Sequence, residues 1–352
     1  YLYGLINNMS IVPVRLTYIS VDDYKTKKFN FILTIDELKD FFYKSIDDYT
    51  RWHQTLSEAS TVKLDTLKDI TFPFANKRQG QSEFMKATYL TMKANSILYA
   101  IAPTGIGKTM ATIFSTLKSM TKPNEKLFYL TAKTIGREVA IDSFRMLQNE
   151  GLKLHAIVIS SKAKSCASKM QHCDPEKCSF AKGYFSRLRQ AIEDIYTNEI
   201  LYNQETIMKY ALKYNICPFE YSLDLSYFCD AIICDYNYVF DPKAHLIRYF
   251  EDTEYQPKIL CDESHNLVER SKDMYSAEFD SLLPLRIEEK ISSYDKTITK
   301  NIRHFYDELK KYDDLVNKDL FYYSHLLDDL MLSSLKQIVQ KAELVLADNK
   351  EI

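Results

Sequence analysis

The chain has 352 residues, of which 46% are hydrophobic and 27% charged, and its formal net charge is −2 at pH 7. These values are typical of a globular protein with two or three domains, and they exclude a global basic field that would attract nucleic acid without a local binding surface. The longest apolar runs are about six residues, too short to span a bilayer, and the chain opens without the basic start and apolar core of a signal peptide.

The cysteine count and the composition indicate the compartment. Seven cysteines are an odd number and too few for a secreted disulfide framework, so a reducing cytoplasm with metal-bound and free thiols fits better. Only seven glycines stand beside abundant Lys, Tyr, Ile and Asn, which is typical of an AT-rich bacterial genome. We expect a cytoplasmic bacterial protein, monomeric and without a membrane partner.

Residues 1–62 are predicted to form a small α/β piece. The stretches VPVRLTYISV and FNFIL have the β-branched and aromatic content of strands. Thr34 and Glu37, three residues apart, match a capping box and predict the start of a helix. The polar residues 57–69 indicate a linker.

From residue 63 the chain alternates short apolar runs with helical stretches. SILYAIA, KLFYLTA, LHAIVIS, DAIICDY and PKILCDE have the continuous apolar character of strands buried on both faces of a parallel sheet. The alternation is interrupted at 161–225, so we expect an α/β sheet domain made of residues 63–160 and 226–270 with 161–225 inserted. Residues 271–352 are predicted to be helical.

The sequence APTGIGKT, residues 102–109, follows an apolar run and precedes a helical stretch, which is the context that a phosphate-binding P-loop requires. The glycines allow backbone amides to close around phosphate oxygens, the lysine reaches the β- and γ-phosphates, and the last threonine binds Mg²⁺. Its predicted nucleotide-binding residues are Thr104, Gly105, Gly107, Lys108 and Thr109. Ala102 replaces the usual first glycine, a substitution typical of helicase-type loops.

A second apolar run ends in adjacent acids at Asp262 and Glu263, within KILCDESHN. Paired with a P-loop, Asp262 is expected to hold Mg²⁺ through water, and Glu263 to orient and deprotonate the attacking water. Ser264 and His265 complete a DEAH-like box in which serine replaces alanine.

These motifs together resemble the superfamily 2 DNA helicases of the XPD/DinG type. The resemblance rests on APTGIGKT, YLTAKT (129–134), CDYNYVFDP (234–242) and CDESHNLVERSKDMYSAE (261–278), and it covers about residues 70–350. It implies a RecA-like motor domain that hydrolyses ATP with Mg²⁺ and translocates on single-stranded DNA, 5′→3′, to unwind forked duplexes.

The resemblance also assigns roles to five further residues. Lys133 and Thr134 occupy the loop that contacts single-stranded DNA in the family. Arg78 and Gln81, in RQGQ, match the segment that reads adenine. His265 is counted with the nucleotide-binding residues.

Four cysteines have the pattern of a metal site, with intervals of six and four residues and then a longer gap. They are Cys166, Cys173, Cys178 and Cys217. Four thiolates hold either a 4Fe–4S cluster or structural zinc, and the spacing alone leaves both open. The resemblance implies the 4Fe–4S cluster, in an inserted domain at 161–225. Cys229 is the rival fourth ligand, and Cys234 and Cys261 are read as core thiols.

The chain ends are interpreted through the same resemblance. Asp22, Asp23, Glu37 and Lys39 match a D…ExK nuclease pattern, but that motif needs Glu and Lys on a strand and Glu37 is predicted to cap a helix. The first 22 residues nevertheless resemble the end of a PD-(D/E)XK nuclease domain, which implies catalytic acids upstream of Tyr1. The alternative is a small N-terminal domain specific to the family.

Residues 271–352 resemble the opening helices of the family's arch domain, and no second motor sheet follows them. We therefore expect a fragment with weak ATPase activity on its own, since the transition-state arginine comes from the second motor domain. Two rival interpretations are a zinc-stabilised DNA-binding module with a vestigial nucleotide site, and an unrelated P-loop kinase or transporter ATPase.

Overall fold

The computed structural model describes most of residues 1–348 and divides into two compact units. The residues outside the description are 21–23, 104, 169–172, 174–176, 252–253, 279, 292–295, 313–314, 317–322, 326–327 and 349–352. One unit contains residues 39–275, and the other contains residues 1–38 and 276–352. Among the described residues, no helix combines the length and apolarity that a membrane crossing requires.

A five-stranded parallel sheet forms the centre of the larger unit. Its strands are β3 (Glu125–Leu130), β4 (Ala156–Val158), β5 (Leu201–Tyr202), β6 (Ala231–Cys234) and β7 (Gln256–Cys261), in the order β5-β4-β6-β3-β7. β3, β4 and β6 are buried along their whole length, which explains their apolar sequences. The predicted α/β class with a parallel sheet is confirmed.

Helices supply the two layers around this sheet. They are α3 (Gln81–Lys93), α4 (Lys108–Ser119), α5 (Thr134–Asn149), α6 (Lys162–Ser165), α7 (Tyr184–Asn198), α8 (Gln204–Tyr214), α9 (Pro218–Leu225), α10 (Asn237–Phe240) and α11 (Leu267–Tyr275). Side chains alternate along β3: Leu127 and Tyr129 pack in the core with α4 and α5, whereas Phe128 and Leu130 pack in the core with α7, α8 and α9.

Residues 161–225 contribute to the sheet as well as interrupting the chain. Strand β5 pairs in parallel with β4, with Leu201 opposite Ala156. Helices α7 to α9 bury Ile195, Tyr210 and Tyr221 in one of the two cores. The segment predicted as an insertion therefore covers one face of the same sheet.

The apolar run SILYAIA differs from its prediction as a strand. Residues 96–103 have no regular secondary structure, and Ile97, Tyr99 and Ile101 are 81%, 88% and 106% exposed. Composition identifies a segment that suits a sheet, but a strand also needs a hydrogen-bonded neighbour. In the part of the chain that the structure describes, the sheet ends at β7.

Helix α2 (Ile35–Asp69) starts as predicted and ends much later. The Thr34 amide donates to Glu37 Oε2 at 2.8 Å and the Glu37 amide donates to Thr34 Oγ1 at 3.2 Å, so the capping box is confirmed. The prediction of a linker at 57–69 is wrong, because Lys63 and Leu67 lie one turn apart on a buried face of this helix. Lys63 Nζ pairs with Asp230 Oδ1 at 2.8 Å, which offsets the cost of burying its charge.

The smaller unit contains a hairpin and a group of helices. Its elements are α1 (Leu2–Ile6), β1 (Ile11–Ile19), β2 (Thr26–Thr34), α12 (Leu283–Ile291), α13 (Lys296–Lys310) and α14 (Asp329–Asp348). β1 and β2 lie where the composition predicted strands, and they pair antiparallel. Of the D…ExK residues, Glu37 lies in the first turn of α2 and not on a strand, and Asp22 and Asp23 lie outside the described residues.

Candidate nucleotide site

The P-loop has the backbone conformation that its glycines predict. Gly105 and Gly107 have φ of +86° and +77°, in the left-handed region that side chains rarely adopt. Gly107 caps the 12-residue helix α4, so backbone amides and the positive helix end face the same space. Lys108 Nζ donates to the Ala102 carbonyl at 3.0 Å, which folds the lysine back over the loop. Thr104, also predicted here, lies outside the described residues.

The buried side chain of Gln81 holds the P-loop through a hydrogen bond. It is 3% exposed, its Nε2 donates to the Ile106 carbonyl at 2.8 Å, and its Oε1 accepts from the Arg78 amide at 3.1 Å. A Cβ added to Gly107 would lie 2.8 Å from this Nε2. The Gln81 amide, predicted to contact adenine, therefore uses its hydrogen bonds to hold the P-loop.

Arg78 lies on the open side of the same region. It lines a pocket of about 470 Å³ together with Gln79, Gly80, Pro103, Gly105 and Ile106. This volume is in the range of pockets that hold small molecules. Of the two residues predicted near the adenine, Arg78 is the one that faces open space.

Asp262 reaches the P-loop from the end of β7. Its amide donates to the Leu130 carbonyl at 3.0 Å, which continues the β3–β7 ladder by one residue. Burial raises the pKa of Asp262, while a hydrogen bond from Tyr129 and the charge of Lys108 oppose that rise. The Tyr129 hydroxyl also lies 3.3 Å from Thr109 Oγ1. The structure therefore brings Lys108, Thr109 and Asp262 together.

Glu263 has a strained backbone and an accessible carboxylate. Its φ is 52°, and its side chain is 41% exposed. The buried Tyr236 hydroxyl donates to the Asp262 and Glu263 carbonyls, which fixes this turn. His265 Nδ1 lies 3.4 Å from Glu263 Oε2 and its side chain is 70% exposed. Left-handed backbone at a non-glycine residue is typical of functional turns.

Lys133 and Thr134 lie at the start of α5, just after β3. Lys133 is the residue before the helix and Thr134 is its first residue, and both are exposed. Because parallel strands end at one edge of the sheet, these two residues and the acidic turn after β7 share that edge. An exposed cation and a 16-residue helix N-terminus are suited to a phosphate backbone.

Two of the four predicted ligand cysteines, Cys173 and Cys217, are close to the Lys162 ammonium. The ammonium hydrogen-bonds to Cys173 and also lies near Cys217, and both raise its pKa. Burial raises the pKa of the Cys217 thiol, backbone amides that bond to the sulfur lower it, and nearby Cys166 raises it. Cys178 is 8% exposed. Within the described residues, no group of three or more His, Cys, Asp or Glu side chains has a geometry that would hold a metal ion.

Cys229, the rival fourth ligand, lies in the hydrophobic core. It is fully buried, its Sγ donates to the Leu225 carbonyl at 3.3 Å, and burial raises its pKa well above the ordinary value. Burial also raises the pKa of Cys234, and raises that of Cys261 to about 11. These environments disfavour the thiolate that a metal requires.

Tyr129 and Tyr236 are the contributors that reading the sequence missed. Both are tyrosines next to apolar strand residues and were indistinguishable from core side chains. Their signal is position: Tyr129 comes two residues before the end of the KLFYLT run, and Tyr236 two residues after Cys234, at the edge where the acids lie.

Comparisons with known proteins indicate which proteins this chain resembles. The DEAD_2 family model matches residues 147–282. The chain is 28% identical over 145 residues to the general transcription and DNA repair factor IIH helicase subunit XPD of Dictyostelium discoideum, covering 41% of this chain and 17% of that protein. It is 30% identical over 124 residues to the regulator of telomere elongation helicase 1 homolog of Aedes aegypti, covering 35% of this chain and 11% of that protein.

A solved structure titled XPD helicase matches with a TM-score of 0.46 at 18% identity, over 78% of this chain and 51% of that one. The family model and the curated relatives support a helicase. They support the resemblance to an XPD-like helicase that the motifs indicate. The chain spans well under half the length of the curated relatives that it matches.

Proposed function

We propose that this chain belongs to an ATP-dependent DNA helicase of the XPD type, which couples ATP hydrolysis to 5′→3′ movement on single-stranded DNA and the unwinding of forked duplexes. The observation that carries the proposal is the convergence of Lys108, Thr109 and Asp262 at one edge of a parallel sheet. At that edge Lys133 also directly precedes the next helix, α5.

The P-loop binds the phosphates of ATP. Amides around Gly105 and Gly107 and the N-terminus of α4 receive phosphate oxygens, and Lys108 turns from the Ala102 carbonyl to the β- and γ-phosphates. Arg78, beside the open pocket, contacts the base or ribose. Gln81 keeps the loop in this shape.

The donor set also fits Mg²⁺, which prefers oxygen ligands. The Thr109 hydroxyl and the Asp262 carboxylate would hold it, directly and through water. When bound, the ion neutralises phosphate charge. Glu263, with an accessible carboxylate in a fixed turn, orients the attacking water and accepts its proton.

The four thiols of Cys166, Cys173, Cys178 and Cys217 are the donor set that a 4Fe–4S cluster requires, although the described side chains are not gathered into a metal-binding group. Cys173 and Cys217 both lie near the Lys162 ammonium, Cys166 lies near Cys217, and backbone amides of the first turn of α9 lower the pKa of Cys217. Hydrogen bonds to ligand sulfurs are common at such clusters. Cys178 supplies the fourth thiolate. Held in this way, the segment 161–225 would form a rigid element beside the DNA-binding edge.

Two measurements on the natural protein test the proposal. Strand displacement on a forked duplex should require ATP and Mg²⁺, need a 5′ single-stranded tail, and disappear in Glu263→Gln. Anaerobic purification should yield about four irons and four acid-labile sulfides per chain. One zinc without sulfide would favour the zinc-stabilised DNA-binding module, and phosphotransfer that ignores DNA would favour the unrelated kinase or transporter ATPase.

A further inference from the structure

Tyr129 lies between the two residues that the proposed function assigns to magnesium. Its hydroxyl donates to Thr109 Oγ1 at 3.3 Å, and its proximity to Asp262 lowers the pKa of that carboxyl, against the larger rise that burial causes. Thr109 belongs to α4 and Asp262 follows β7, so one phenol joins two elements that are remote in sequence. The hydrogen bond to Thr109 and the neighbouring carboxylate give polar partners to a hydroxyl that would otherwise be costly to bury.

The fold leaves this hydroxyl little freedom. Tyr129 is 2% exposed, and its ring packs in the core that contains Met110 and Leu260. β3 and β7 are paired with Tyr129 opposite Leu260, and the Asp262 amide donates to the Leu130 carbonyl at 3.0 Å. Because the ring and the Asp262 backbone are both anchored in the sheet, the fold sets the hydroxyl's position beside the carboxylate.

The second tyrosine at this edge has a different task. Tyr236, fully buried, donates to the backbone carbonyls of Asp262 and Glu263. It therefore fixes the turn, whereas Tyr129 contacts the Asp262 side chain. The carboxylate also receives the Glu263 amide. Among these contacts, only Tyr129 reaches the P-loop threonine as well.

We propose that Tyr129 is a positioning residue for magnesium, whose hydroxyl orients the Thr109 hydroxyl and the Asp262 carboxylate toward the same ion. The inference rests on the proposed function, since it concerns the metal that accompanies ATP. Phenylalanine at this position would preserve the ring packing, but the side chains of Thr109 and Asp262 could then adopt other rotamers. Loss of a hydrogen bond to a metal ligand typically weakens metal binding by ~10–100-fold.

The test is the effect of magnesium on nucleotide affinity, measured by calorimetry with ADP in EDTA and in excess MgCl₂. The measured ratio is the ADP dissociation constant in EDTA divided by that in MgCl₂. In Tyr129→Phe this ratio should fall about tenfold relative to the unmodified chain, while the dissociation constant in EDTA stays within about twofold. Tyr249→Phe is the matched control: its hydroxyl is also buried, but it bonds to Ser226 at 2.8 Å, away from the site. Its ratio should be unchanged.

A double variant distinguishes positioning from general destabilisation. Asp262→Asn should lower the ratio by itself, and adding Tyr129→Phe should lower it no further. Additive losses, an unchanged ratio in Tyr129→Phe, or equal weakening with and without magnesium would each overturn the inference. Absence of ADP binding by the unmodified chain would instead overturn the nucleotide site of the proposed function, and the inference with it.

Discussion

The side-chain amide of Gln81 donates to the Ile106 carbonyl at 2.8 Å, from the first residue of α3 into the middle of the P-loop. The same side chain accepts from the Arg78 amide at 3.1 Å. A buried glutamine thus connects the loop that would hold phosphates to the segment that borders the open pocket. A substitution in the P-loop or in the segment around Arg78 is therefore expected to alter the conformation of the other.

Gln81→Ala should weaken nucleotide binding by about tenfold, because it leaves a buried carbonyl unpaired and frees the loop. Binding can be measured by ADP calorimetry. Gln148→Ala is the matched control, since its amide bonds to the Leu154 and Ile200 carbonyls, away from the P-loop. Equal effects of the two variants would show that Gln81 contributes only to general stability.

Gly107→Ala should abolish most nucleotide binding. The residue has φ of +77°, and a Cβ there would lie 2.8 Å from Gln81 Nε2, so strain and a collision combine. Gly151→Ala provides the comparison, because φ is +102° but nothing lies within 4 Å of an added Cβ. That control should lose about 1–2 kcal/mol of stability from backbone strain and keep its ADP affinity. Normal ADP binding by Gly107→Ala would contradict the assigned loop.

Cys217→Ser should lose iron and sulfide during anaerobic purification, whereas Cys229→Ser should retain both. Cys217 is half-buried and near Cys166, while Cys229 is enclosed in the core. Iron and sulfide assays, with melting temperature as a check on folding, make the comparison. Loss of iron only in Cys229→Ser would reassign the ligand.

The free energy of unfolding should decrease on acidification, because the buried His155 ring is neutral in the folded chain and burial opposes its protonation. Burial lowers its pKa to about 4, its Nδ1 lies 2.6 Å from the Tyr202 hydroxyl, and its ring stacks on Tyr196 at 3.9 Å. The unfolded chain takes up the proton near pH 6.5 and the folded chain only near pH 4, so the free energy of unfolding decreases as pH falls between these values.

The loss attributable to His155 is about 2 kcal/mol between pH 7 and pH 5. Urea denaturation at the two pH values measures it, with His155→Phe as the reference that lacks the titrating group. The pH dependence should be smaller in His155→Phe by that amount. The same pH dependence in both proteins would contradict the assignment.

Much of this fold follows from local sequence. Continuous apolar runs predicted β3, β4, β6 and β7, because strands buried on both faces need apolar side chains throughout. The capping box predicted where α2 begins. The end of α2 was not predictable in this way, since the partners of the buried Lys63 ammonium, the Asp230 carboxylate and the Pro123 carbonyl, come from distant parts of the chain.

The site shows the same limit. The P-loop and the acidic pair were readable as motifs, because their chemistry requires fixed residues at fixed spacing. The roles of Tyr129 and Gln81 depend on which element lies across from them, and spacing along one segment does not contain that information. Residues 96–103 show the same dependence on partners. Their apolar run predicts a strand, but the segment has no regular secondary structure, because a strand also needs a neighbouring strand to pair with.

The most direct test of the central claim is ATP hydrolysis by the natural protein with and without single-stranded DNA. The account predicts a low basal rate, strong stimulation by single-stranded DNA, and loss of the stimulated rate in Glu263→Gln while ADP binding remains. Hydrolysis that is indifferent to DNA, or that survives Glu263→Gln unchanged, would contradict the assignment of this site to a DNA helicase.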